Sequence, residues 1–189
     1  MDKKSPDELL EEVKIHQVER DALDRVFSKF VSMSDDPSER SQGLLFSWQE
    51  VAKVLRQLGC PLSKSEVQLM IWEVDEDLDQ CVSKQEFDTM YKRCVNDKTG
   101  LEPRKLFDLV QFMMYDKTFK GSITVEDTLQ LLFVRNGKTH LETEIQVLFG
   151  EEETTSDGQE KSITFQEYLQ RVNARDIERR KKSRKARKS

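Results

Sequence analysis

The sequence is short of the residues that break helices and of those that staple small folds. Among 189 residues there are 7 Gly, 4 Pro, 3 Cys and 2 His. Few Gly and Pro, together with long stretches of Glu, Lys, Leu and Gln, disfavour sheet and favour an all-α chain. Cys60, Cys81 and Cys94 make an odd set without zinc-ligand spacing, which fits reduced thiols in an intracellular, cytosolic protein. No run of about 18 apolar residues exists, so no membrane span is expected. The stretch from Met1 to Glu8 lacks the apolar core of a secretory signal. With two His, no Gly-rich phosphate loop and no Cys/His/Asp constellation, no catalytic machinery is evident and an enzyme is not expected.

What is present is charge. Charged residues make up 35% of the chain and hydrophobic ones 36%, enough for one domain or two small ones with modest cores. The net charge is −5, but residues 175–189 hold nine Lys or Arg and two acids, a tail of +7 on a body of −12. The stretch Arg179 to Lys188 has no aromatic residue and no apolar stripe. Such a cation suits a polyanion, including acidic tubulin tails, whereas single-strand stacking and membrane burial lack their usual anchors.

One acidic stretch organises the rest: Asp75-Glu76-Asp77-Leu78-Asp79-Gln80-Cys81-Val82-Ser83-Lys84-Gln85-Glu86. Oxygen-bearing side chains fall at places one, three, five, nine and twelve, the ligand spacing of an EF-hand calcium loop. Asp75, Asp77 and Asp79 would each offer a carboxylate, and Glu86 both its oxygens. Cys81 would offer its backbone carbonyl, and Ser83 its hydroxyl directly or through a water. Hard oxygen donors of this kind suit Ca2+, held at roughly 2.3–2.6 Å. The sixth place, normally Gly for its positive φ, is Gln80. A Cβ there costs about 1–2 kcal/mol, roughly a tenfold loss of affinity if all of it falls on the bound state.

Around this loop the apolar pattern suggests four helix–loop–helix hands. Ser5-Pro6 with Glu8 reads as the start of a leading helix running toward Leu23. The first hand spans the stretch from Leu23 to Phe30 and, from Phe46, the segment through Val51 and Leu58. Its loop, Val31 to Glu50, has 20 residues where about 12 suit calcium, and Val31 lacks an oxygen ligand. Ser63 caps the helix that delivers the second loop, with apolar positions at Val67, Met70, Ile71 and Val74. The third hand has Asp116 and Gly121 in place, but Lys120 stands where an acid belongs and Asp127 is too short to chelate as Glu would. The fourth closes with Ile163 to Glu167 after an acidic, elongated stretch from Gly150 to Lys161. Three of the four loops are therefore expected to be empty. The residues four places before each closing acid, the eighth of a standard loop, Phe46 with Val82 and Ile123 with Ile163, are expected to form short antiparallel strand pairs. His16 and His140 read as surface residues.

The expected organisation is two lobes, each a pair of EF-hands. Residues 1–22 are an N-terminal helical extension, 23–94 the N-lobe, 95–103 a linker, 104–173 the C-lobe and 174–189 a basic tail.

Glu66 to Asp75, followed by the loop and Glu86-Phe87-x-x-Met90, is similar to the second hand of calmodulin. Met90 to Cys94, Asp97 to Phe107 and Val110 to Asp116 resemble a narrower group, the small EF-hand subunit of the ciliary outer dynein arm docking complex. That resemblance covers about the middle third of the chain. It implies a calmodulin-like protein in the cytoplasm and cytoskeleton, on axonemal doublet microtubules beside coiled-coil partners. The expected function is then an adaptor whose apolar grooves grip partner helices. Calcium at Asp75 to Glu86 would change that grip, or the hands would act as constitutive struts, as in myosin light chains. A nuclear or nucleic-acid-associated protein using the basic tail is the competing class.

Overall fold

A computed structural model describes the backbone of residues 6–34, 45–97, 99–150 and 160–186, and side chains within these from residue 17 to 177. The chain is mostly helical with two small antiparallel strand pairs. In order, the elements are α1 (Pro6–Ser32), β1 (Leu45–Ser47), α2 (Trp48–Gln57), α3 (Lys64–Trp72), β2 (Cys81–Ser83), α4 (Lys84–Asn96), α5 (Lys105–Tyr115), β3 (Ser122–Thr124), α6 (Val125–Phe149), β4 (Ser162–Thr164) and α7 (Phe165–Ala186).

Each strand pair has the register expected from the apolar eighth places. β1 pairs with β2 with Phe46 opposite Val82, and β3 pairs with β4 with Ile123 opposite Ile163. Each pair buries these central residues and turns directly into a helix. Ser47, Ser83 and Thr124 start α2, α4 and α6 as capping boxes, their oxygens accepting helix amides while Glu50, Glu86 and Asp127 reach back. Ser63 does the same for α3 with Glu66, as its place in the sequence predicts. The pleat therefore aims one carboxylate per unit back at the loop it closes.

Two boundaries differ from the sequence reading. The leading helix and the first hand's helix are one continuous α1, so no break falls at residue 22. Nothing between Leu10 and Ser32 offers a Gly or Pro to interrupt it. Likewise the third hand's exit helix and the fourth hand's entry helix meet in α6, separated only by Gly137 at φ 67° and ψ 174°. His140 is exposed as expected, but within the second segment of α6 rather than ahead of it. The proposed Ser5 cap, the His16 side chain, residues 35–44 of the first loop and residues 151–159 of the fourth lie outside the described residues. The backbone of the basic tail continues α7 through Ala186.

Aromatic rings fill the core of each half. Phe46 stacks on Phe30 at 4.7 Å and meets Phe27 and Phe87 at 5.7 and 5.9 Å. Phe112 meets Phe165 and Tyr168 at 5.1 and 5.5 Å. The halves are not separate: the buried apolar residues from Ala22 to Val172 form one contacting cluster. Helix α5 lies at its centre, with only Lys105 exposed and Gln111 half-buried. A helix that is apolar almost all round must be covered on all sides. Met70, Met90, Met113 and Met114 are all buried, so they pack the core instead of lining an open groove. Each contributes about 1.5–3 kcal/mol of burial.

Polar contacts reinforce the packing between the halves. Arg25 of α1 donates to the carbonyls of Met114 (2.8 Å) and Met113 (3.4 Å) at the end of α5. The Tyr91 hydroxyl of α4 donates to Glu19 of α1 at 2.6 Å, and Arg135 of α6 donates to the same Glu19 oxygen at 2.8 Å and to Tyr91. Asp97 and Glu102 are tied down as well. Asp97 accepts from the amides of Thr99 and Gly100 at 2.7 and 2.9 Å, and Arg93 pairs with Glu102 at 2.7 Å. Chiefly through the Thr99 hydroxyl, these bonds hold the Asp97 carboxyl down at about 2.

Candidate metal centre

Helix α3 ends at Trp72, and its last turn carries the buried Val74 and Asp75 into the loop. The amides of Val74 and Asp75 still bond to Ile71, at 2.9 and 3.0 Å, so Asp75 leaves the helix with a defined direction. Its two carboxylate oxygens then gather the turn: one accepts from the Asp79 amide at 3.2 Å, the other from the Gln80 amide at 2.9 Å. The backbone reaches this shape through left-handed residues, Leu78 at φ 63° and Gln80 at φ 68°. Gln80 thus adopts the conformation for which Gly is usually required.

From the far side, Glu86 in the first turn of α4 closes the loop. One oxygen accepts from the amides of Glu76 (2.8 Å) and Asp77 (3.4 Å). The other accepts from the Ser83 amide and hydroxyl at 2.8 and 2.7 Å. Asp75, Asp77 and Glu86 are brought together, each offering a carboxylate oxygen within 4.8 Å of the others. No other group of three His, Cys, Asp or Glu converges in this way among the described residues.

The remaining expected ligands border this group. Asp79 accepts from the Cys81 amide at 2.7 Å and stands outside the converging three. Cys81 lies in β2 opposite Ser47, and none of the three cysteines is in a disulfide. Ser83 is committed to Glu86 as the cap of α4.

The charges in the loop pull in opposite directions. Burial raises the Glu86 carboxyl, but its bonds from Ser83, Glu76 and Asp77 outweigh that and hold it below the usual value. For Asp77 the hydrogen bond from the Asp79 amide lowers the carboxyl, yet burial and the charges of Asp79, Glu86 and Asp75 together push it up. Crowded carboxylates that disfavour one another's ionised forms are a setting in which a cation is stabilising. The three converging donors are hard carboxylate oxygens, which suit a hard divalent cation over a soft one.

Sequence reasoning found the acids of this loop but not the second left-handed residue, Leu78, nor the Glu76 amide that steers Glu86. It also missed the Glu19, Tyr91 and Arg135 group. These residues are 72 and 116 positions apart, beyond the reach of any local pattern. Comparison with protein-family models and with curated proteins finds no match to the chain. No helix among the described residues is long and apolar enough to cross a membrane.

Proposed function

We propose that the chain is a non-enzymatic, calmodulin-like adaptor built from four EF-hands, with one calcium loop at Asp75 to Glu86. The observation that carries this reading is the convergence of Asp75, Asp77 and Glu86 in a loop whose closing strand pairs with that of a partner unit. Asp75, Asp77, Asp79, Glu86, the Cys81 carbonyl and Ser83 would hold the ion. Calcium would supply the positive charge that this acidic loop lacks. Because Glu86 belongs to the first turn of α4, its engagement bears directly on that helix.

The resemblance of residues 90–116 supports a more particular role, as a subunit of the outer dynein arm docking complex on ciliary doublet microtubules. Its partners there would be coiled-coil helices, with acidic tubulin tails as a further target of the basic tail. Since the core methionines are covered, a partner helix meets exposed apolar residues such as Leu69 and Trp72 of α3, the latter 65% exposed. Binding of purified coiled-coil subunits of that complex, with and without calcium, tests this role. Absence of binding in both conditions overturns it.

One observation favours a constitutive, light-chain-like alternative. Both Glu86 oxygens already accept loop amides, so the loop has an internal network that can hold its shape. A calorimetric calcium titration with magnesium present, on the chain and on Glu86→Gln, separates the two. One site lost in the variant supports the sensor. No binding heat in either leaves the chain as a fixed adaptor.

A further inference from the structure

The loop from Asp116 to Asp127 shares the turn of the loop from Asp75 to Glu86 at its fourth and sixth places and in the bonds of its first and last acids. Its fourth and sixth residues, Phe119 and Gly121, have φ 54° and 86°, matching Leu78 and Gln80. Its first acid, Asp116, accepts from the amides of its fifth and sixth residues, Lys120 and Gly121, at 2.9 and 2.7 Å, as Asp75 does in the other loop. Its last acid, Asp127, accepts from the ninth amide, Thr124, at 3.0 Å, as Glu86 does from Ser83. At the fifth place, however, an acid in one loop is an amine in the other: Asp79 against Lys120.

That amine stays partly exposed, with 44% of its side chain open to solvent, and reaches back along its own loop. Lys120 Nζ lies 2.9 Å from Asp127 Oδ2. The hydrogen bond to Asp127, opposed by some burial and helped by the charges of Asp127, Asp116 and Glu160, stabilises the ammonium form. Glu160 comes from the segment leading into β4, and its carboxylate also accepts the Glu126 amide at 3.0 Å. Asp127 is thus the carboxylate the ammonium bonds, while the charges of Asp116 and Glu160 favour the same form without a bond to it. The first half of the molecule braces the same loop, with Arg25 and Lys29 over the Phe119 ring at 5.9 and 5.3 Å.

We propose that the Lys120 ammonium is the resident cation of the Asp116 to Asp127 loop, a tethered counter-charge that holds the loop and the β3–β4 pair in shape without a divalent ion. A side-chain amine stays with its loop at any divalent concentration, so the shape of this loop does not depend on a divalent ion. The inference is independent of what the Asp75 to Glu86 loop binds.

Amide hydrogen exchange of the full chain in chelator tests it. In Lys120→Met, which keeps the stem and removes the charge, the amides at positions 120 and 121 should exchange about fivefold faster, the scale of a partly exposed ion pair. The amides of Asp79 and Gln80 should be unchanged, and Lys120→Arg should restore the slow rates. Lys117→Met serves as control, because Lys117 is on the same loop but bonds Gln130 at 3.4 Å. Unchanged rates in Lys120→Met, equal acceleration in Lys117→Met, or acceleration spread evenly over both loops would each overturn the proposal. Chelator in every sample keeps the result separate from any failure of calcium to bind the other loop.

Discussion

Gln80 sits at φ 68°, where a side chain with a Cβ costs about 1–2 kcal/mol relative to Gly. Gln80→Gly should therefore raise the thermal midpoint in chelator to the extent that the ion-free loop carries this cost, and any part that falls only on the ion-bound state should appear in calorimetry as tighter calcium binding, up to about tenfold. A variant with neither change would mean that the loop relaxes around Gln80 at no cost. A second residue with a measurable liability is Asp108, buried in α5 and 5% exposed. Burial, only partly opposed by Arg104 at 3.9 Å, pushes its carboxyl up to about 7. The unfolded chain ionises this group near pH 4, roughly its ordinary value. Between about pH 4 and 7 the unfolded state therefore sheds the proton while the folded state keeps it, and stability is lost as pH rises. Asp108→Asn, which stays neutral, should match the wild type at pH 4 and become progressively more stable than it toward pH 8. Parallel melting curves across that range would show that Asp108 is not held neutral.

At the scale of elements, the recurring device is a short strand that ends in a capping residue and hands a carboxylate to the loop. Ser83 is both the cap of α4 and the holder of Glu86. Ser83→Ala should cost about 1 kcal/mol of stability, the usual price of a cap, and should also weaken calcium binding by releasing Glu86. A stability loss with unaltered calcium affinity would separate the two roles. These devices were legible in advance because they are local. Ser63 with Glu66, the acid spacing of Asp75 to Glu86, and the apolar eighth residues all lie within a dozen positions of the feature they determine. The helix ends were less legible. At Gly137, φ 67° and ψ 174° leave the helical conformation, so α6 is two helical segments that meet at a kink with no loop between them.

At the scale of the whole molecule, the two halves share one core, and Arg135 is the polar link among three helices. Its guanidinium reaches Glu19 and Tyr91 with only 17% of its side chain exposed. Arg135→Met removes the charge opposite Glu19 and should cost about 2–3 kcal/mol, while adding Glu19→Gln should recover part of the loss. Chemical denaturation measures both, and the wild type should unfold in a single transition because α5 is packed on all sides by both halves. Two resolved transitions in the wild type would show that the halves are independent. The helical class, the acidic loop with its ligand spacing, the caps and the strand register were all readable from the chain. Each of these follows from residue spacing along a local repeat. Tertiary packing alone set α1 against both halves, covered the methionines and brought Glu19, Tyr91 and Arg135 together. Those outcomes depend on which apolar faces find one another, and contacts between residues up to 116 positions apart leave no periodic trace in the chain.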